Sequence, residues 1–211
     1  MISSTNIISL ILAYLIGSVP SAVWIGRTFY DIDVREYGSG NAGATNTFRV
    51  LGFKAGSIVL LMDIAKGFVA VHFLPKILAD YPHEEYINLQ LACAITALMG
   101  HIFPVYVGFR GGKGVATMLG ILIGVHPQAA LVCIDVFLVV FLTTRYVSLS
   151  SMTAGIAFPV TIMVFYSTNT NINLFSLAVA IMVLITHQRN IERLMAHEES
   201  KVNIFGKKKE D

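Results

Sequence analysis

The sequence predicts an all-α, polytopic integral membrane protein, and three observations carry that prediction. Of 211 residues, 55% are hydrophobic and only 13% are charged, whereas a soluble domain carries about 25% charged residues. Mean hydropathy is +0.69. Several runs are apolar all round and leave no polar face to turn toward water, which is the pattern of helices buried in lipid. Cys93 and Cys133 both fall inside such runs and read as small buried side chains, not as a disulfide or a metal pair.

A spanning helix needs about 20 mostly apolar residues. The candidate runs are 7–25, 55–74, 89–107, 115–125, 128–143, 151–165 and 172–186, which predicts about seven transmembrane helices. Residues 1–6 carry no side-chain positive charge, so the first run reads as a retained span and not as a signal peptide. The fourth run is short. At about 1.5 Å per residue it cannot cross a core of about 30 Å unaided. It is either a half-helix or a longer helix extending through Lys113 and His126. Its face Gly112, Ala116, Gly120, Gly124 repeats every four residues, which suits close helix packing in lipid and reads as architecture.

Charge predicts the orientation. If all seven runs cross, the segments 26–54, 108–114, 144–150 and the C-terminus share one side. They hold Arg27, Arg35, Arg49, Lys54, Arg110, Lys113, Arg145, Arg189, Arg193, Lys201 and Lys207 to Lys209. Only Lys76 lies toward the other side, with Lys66 inside the second run. The positive-inside rule then makes the shared side cytoplasmic and puts the N-terminus outside. Treating the fourth and fifth runs as a re-entrant pair leaves five full spans in the same orientation. The opposite connection, 79–88, carries Asp80, Glu84 and Glu85 and reads as a solvated loop. The Lys207–Lys209 tail reads as a solvated end drawn to anionic lipid. No internal repeat is evident, and residues 1–211 read as one domain.

Four polar patches map to the cytoplasmic side. The first, GSGNAGATNTFR at 38–49, has three glycines, several hydroxyl and amide side chains, one arginine and no acid. Glycines let successive N–H groups face inward as an anion nest, and an arginine grips phosphate with two hydrogen bonds. Its Gly38, Gly40 and Gly43 match G-x-G-x-x-G, but no strand–helix–strand unit surrounds it, so a dinucleotide is excluded. A loose linker is the other reading.

The second patch, GHIFPVYVGFRGGKGVAT at 100–117, fails the P-loop test, because Gly114 follows Lys113 and Val107 stands where the first glycine belongs. What remains is Gly111, Gly112 and Gly114 exposing backbone N–H groups around a lysine directly before a helix, a good anion seat. The bland reading is a glycine hinge with a snorkelling lysine. The third patch is RYVSLSS at 145–151, where Ser150 or Ser151 could cap a helix. In the fourth, HQRNIERL at 187–194, His187 and Asn190 share a helical face; an interfacial amphipathic end is its plain alternative. Asp63 and Lys66 lie three apart on one face and read as an intramembrane pair, with orientation of a catalytic cation as the other reading.

Several chemistries are missing. There is no G-x-S-x-G elbow, no H-x-x-x-x-D (the nearest miss is His187 to Glu192), and no cluster with metal-ligand spacing. Nothing points to a cofactor or to nucleic acid. A cationic, donor-rich site at bilayer level suits a reaction between phosphate-bearing substrates of which one carries a lipid chain. A transporter of a small phosphate-bearing anion and a non-catalytic scaffold are the rival readings.

These motifs resemble those of the bacterial acyl-phosphate:glycerol-3-phosphate acyltransferase (PlsY) family. The resemblance rests on 38–49, 100–117 and 187–199 in order, with Asp63, Lys66 and Gly67 between them. Two departures are visible. Ala42 stands where proline is common, and His197 where glycine is usual. The resemblance implies a single acyltransferase domain in the bacterial inner membrane with its site on the cytoplasmic side. It implies acyl transfer from acyl phosphate to the 1-hydroxyl of glycerol-3-phosphate, without a covalent enzyme intermediate or a cofactor. By the same resemblance, Ser39, Asn41, Thr45 and Asn46 are expected to hold the acyl phosphate. Arg49, Lys113, Ser151, His187 and Asn190 are expected to hold glycerol-3-phosphate, with Gly112 and Ser148 also binding substrate. Lys113, His187, Asn190 and Arg49 are the expected catalytic set, with the general base being His187 or a substrate phosphate. The partners implied are those two substrates and the bilayer; the oligomeric state is left open, with a monomer allowed.

Overall fold

In the computed structural model, residues 4–78, 82–166 and 169–202 are described, and all regular structure among them is helical. The chain forms two compact units, residues 1–130 and 131–211. The first holds α1 (Ser4–Gly17), α2 (Ser21–Tyr30), α3 (Ala44–Leu51), α4 (Phe53–His72), α5 (Leu74–Leu78), α6 (His83–Ile102) and α7 (Val115–Val125). Single 3-10 turns occupy Val34–Glu36 and Val105–Val107. Helix α8 (Pro127–Thr144) begins in the first unit, and the second adds α9 (Val147–Phe165), α10 (Thr170–Thr186) and α11 (Gln188–Met195). Asp80 and Lys207 to Lys209 lie outside the described residues.

Four stretches among the described residues are long and apolar enough to cross a membrane: Phe53–Ile77, Glu85–Val107, Pro127–Thr144 and Val147–Phe165. Two bent pairs, α1 with α2 at 41° and α10 with α11 at 60°, raise the number to six if each is one span. The first run is therefore not one straight helix. Pro20 lacks an N–H and interrupts the ladder at residues 18–20, and the break leaves the Val19 carbonyl to accept Lys66 Nζ at 2.7 Å.

Other boundaries shift for equally local reasons. The third run stays apolar through Val107, but α6 stops at Ile102 because Pro104 restricts Phe103 and cannot continue a helix. At its other end α6 starts at His83, so most of the expected 79–88 loop is helical. Helix α9 starts at Val147, ahead of the expected residue 151, and α10 at Thr170, where the Asn169 carboxamide accepts from the N–H groups of Asn171 and Ile172. Helix α7 keeps the expected short bounds. It does not extend through Lys113, because Gly114 sits at φ +81°, nor through His126, which is extended at φ −149°.

Missing side chains let the first unit close. A Cβ on Gly120 would strike the Ile64 carbonyl, and one on Gly67 would strike the Thr117 carbonyl, so α4 and α7 touch backbone to backbone. Gly17 and Gly100 do the same for α1 and α6. The four-residue stripe is thus a packing seam in α7, although Gly112 precedes the helix. Gln90 of α6 donates Nε2 to both the Val71 and Gly124 carbonyls at 3.1 Å. Cys93 and Cys133 are buried and free, as their apolar settings imply. In the second unit, Gly155 of α9 admits Val183 of α10, and Phe158 meets Phe175 edge-on at 6.2 Å between ring centres.

Candidate active site

The first glycine loop is closed by one buried amide. Asn46, in the first turn of α3, donates Nδ2 to the Val34 carbonyl at 2.8 Å and the Tyr37 carbonyl at 3.1 Å, and accepts the Ser39 N–H on Oδ1 at 2.9 Å. Gly38 turns there at φ +61°, and a side chain on it would collide with Asn46. Asn46 is therefore committed to shaping the loop. Ser39, Thr45 and Arg49 are exposed and Asn41 is half-buried. Thr45 and Arg49, four apart, share the outer face of α3.

A strap ties this loop to the second motif. The Arg35 guanidinium spans Asp33, with Nη2 to Oδ2 at 2.7 Å, and sends Nη1 to the carbonyls of Val107 at 2.9 Å and Arg110 at 3.1 Å. The Arg35 hydrogen bond, above all, holds the Asp33 carboxyl well below the usual carboxylate range. Beyond the strap, the Gly111 and Gly112 N–H groups are not open to an anion. They donate to the carbonyls of Ile102 and His101 at 3.1 and 3.2 Å, which leaves half-buried Lys113 poised between that ladder and α7.

Beneath the two loops lies a buried polar cluster. Lys66 Nζ meets Asp63 Oδ1 at 2.8 Å, with side chains 6% and 2% exposed, so the expected pair forms. The same oxygen accepts from Ser21 Oγ at 2.9 Å and lies 3.8 Å from His101 Nδ1. That nitrogen is 3.0 Å from Thr117 Oγ1.

In the second unit, Ser148 and Asn190 meet on one carboxylate oxygen. Glu199 Oε1 accepts from Ser148 Oγ and from Asn190 Nδ2, both at 2.6 Å, while Oε2 accepts from Arg193 Nε at 2.7 Å. Burial alone pushes the Glu199 carboxyl up, but those three hydrogen bonds and the Arg193 charge outweigh it and hold the group below its ordinary value. The segment that carries Glu199 turns at His197, whose φ of +59° is left-handed backbone. This is the geometry that favours glycine. His187 is buried, and its Nδ1 lies 2.7 Å from the Val183 carbonyl. A carbonyl only accepts, so Nδ1 carries the proton. Ser150 and Ser151 do not cap α9; they lie within the helix and donate back to the carbonyls of Tyr146 and Val147 at 2.7 and 2.8 Å.

The motifs alone give no individual role to Ser21, Asp33, His101 or Thr117, and Arg35 reads there as bulk charge. Only His101 and Thr117 carry a signal, since both lie within the second motif at 100–117.

The fold and its polar loops define a helical integral membrane protein with donor-rich sites at helix ends. Residues 7–197 match the family model described as "Glycerol-3-phosphate acyltransferase", and the chain belongs to that family. It is 45% identical over 197 residues to "Glycerol-3-phosphate acyltransferase 2" of Bacillus anthracis, covering 93% of this chain and 99% of that one. It is 39% identical over 231 residues to the glycerol-3-phosphate acyltransferase of Chlorobium phaeobacteroides strain BS1, covering 96% and 98%. A crystal structure of PlsY (YgiH), an integral membrane glycerol 3-phosphate acyltransferase in its glycerol 3-phosphate form, is similar with a TM-score of 0.86 and 34% identity, over 95% of this chain and 96% of that one. The lysophosphatidic acid form of the same protein gives a TM-score of 0.83 at 33% identity.

Proposed function

We propose that this chain transfers a fatty acyl group from acyl phosphate to the 1-hydroxyl of glycerol-3-phosphate in the bacterial cytoplasmic membrane. The observation that carries the reading is the near full-length likeness to a protein solved with glycerol 3-phosphate and with lysophosphatidic acid, acceptor and product of one acyl transfer. The hydroxyl oxygen attacks the acyl carbon, the bond from that carbon to the phosphate oxygen breaks, and inorganic phosphate leaves. An acyl phosphate is already activated, so positioning and charge neutralisation supply the rate without a covalent intermediate.

Residue roles follow the surroundings of each group. Exposed Ser39 and Thr45, with Asn41, are donors for the acyl phosphate, on a loop that Asn46 shapes. Arg49 and Lys113 are the cations for the phosphate of the acceptor. In the second unit Ser148, Ser151 and Asn190 are acceptor-side polar groups. The Val183 carbonyl keeps the proton on Nδ1, so a neutral His187 would accept on Nε2, the atom a general base uses; a substrate phosphate is the other candidate. Gly112 sets the lysine. The reading keeps the N-terminus outside and the site on the cytoplasmic side of one domain over 1–211, with about seven crossings, or five if short α7 and α8 form a re-entrant pair.

Purified protein given synthetic acyl phosphate and glycerol-3-phosphate releases phosphate and forms 1-acyl-glycerol-3-phosphate. Absence of both products, with uptake of glycerol-3-phosphate into liposomes, would overturn the reading in favour of transport. In the same assay His187→Gln loses rate and the limb of the pH profile that a titrating base produces; an unchanged profile would assign the proton to substrate phosphate.

A further inference from the structure

The densest buried chemistry without a part in the reaction surrounds His101. Its carbonyl accepts the Gly112 N–H at 3.2 Å, and the Ile102 carbonyl accepts that of Gly111 at 3.1 Å, so the end of α6 carries the strand leading to Lys113. Its ring presses on the same strand. A Cβ on Gly112 would strike His101 Nε2 and lie 2.9 Å from the Ala42 carbonyl. Gly112 is thus layered between the imidazole and the first glycine loop. On the far side of Lys113, Thr117 Oγ1 reaches back to His101 Nδ1 at 3.0 Å. One imidazole therefore fixes the chain just before the lysine and is itself fixed by the helix that follows it.

Asp63 and Lys66 stand behind that ring, with Asp63 Oδ1 3.8 Å from Nδ1. Ser21 Oγ and the Val19 carbonyl complete their hydrogen bonds at 2.9 and 2.7 Å. Ionised groups inside a membrane are expensive and mark function. For stability alone, a buried pair is commonly matched by apolar residues of similar volume. We infer that His101, set by Thr117 and backed by the Asp63–Lys66 pair, is a positioning residue that holds Lys113 in register with the first glycine loop for the acceptor's phosphate. The inference rests on the function proposed above.

The test uses the full chain in bilayers, with KM and kcat for glycerol-3-phosphate, its Kd by calorimetry, and Tm. Thr117→Val keeps shape and removes the hydroxyl. It raises KM and Kd about tenfold, the effect of losing one ordering hydrogen bond, with kcat little changed. Thr117→Ser restores both. The double variant Asp63→Leu, Lys66→Met removes the pair without leaving a lone charge, and it raises KM and Kd by more than any fall in Tm accounts for. Wild-type KM and Kd in Thr117→Val overturn the inference. So do losses of activity that merely follow lost Tm; if the valine variant does not fold, the double variant decides by the same criteria. A wild-type protein that binds glycerol-3-phosphate without acylating it sinks the function but not this inference, which the Kd series still decides. No binding sinks both.

Discussion

Asn46 commits its amide hydrogens and its amide oxygen to the backbone of Val34, Tyr37 and Ser39, and so separates shape from contact among residues that look alike in sequence. The motif offers Ser39, Asn41, Thr45 and Asn46 as equivalent donors, and only their surroundings distinguish the one that builds the loop from those that face out of it. His197 carries a similar lesson. A histidine at φ +59° bears the left-handed cost that glycine would avoid, and a β-branched residue would bear more. His197→Val is expected to destabilise by about 1–2 kcal/mol, whereas His197→Gly holds or raises the melting temperature. A valine variant that melts like the wild type would refute the assignment. The unusual residue was visible in the sequence through its departure from the family pattern; the backbone that explains it was not.

At the scale of elements, apolar runs located the helices well, and proline and glycine set where they stop. Hydropathy registers neither. It carried the third run past Pro104 and joined α1 to α2 across Pro20, because both prolines sit among apolar residues. The short fourth run kept its bounds because Gly114 and His126 interrupt the helix where the apolar stretch itself stops. The seam between α4 and α7 follows from glycine spacing, but that spacing alone names no partner. Gly120 faces the Ile64 carbonyl and Gly67 the Thr117 carbonyl, so any side chain must separate two backbones. Gly120→Val is expected to cost about 1–3 kcal/mol, read as a lower melting temperature in detergent. An unchanged value would show that the seam yields.

Across the whole molecule, the distribution of cations carries the orientation, and it is testable without any assay of activity. Ser39 and Lys76 are both exposed and lie on opposite sides in the proposed topology. With Cys93 and Cys133 replaced by alanine, a single cysteine at 76 reacts with an impermeant maleimide in intact spheroplasts, and one at 39 only after permeabilisation. The reverse pattern would invert the protein in the membrane. Composition and motif order made the class and family legible. The buried cluster around Asp63 was half legible, since helical spacing pairs it with Lys66 but cannot reveal Ser21, His101 or Thr117, which arrive from distant segments. That difference in sequence distance has a consequence for biogenesis. The partners of Asn46 lie 7, 9 and 12 residues away, so the first loop can close soon after it is synthesised, at little entropic cost. Arg35 waits for carbonyls 72 and 75 residues downstream. A nascent chain therefore completes the first motif on its own and joins it to the second only after α6 has been made, which makes Arg35 the latch of assembly.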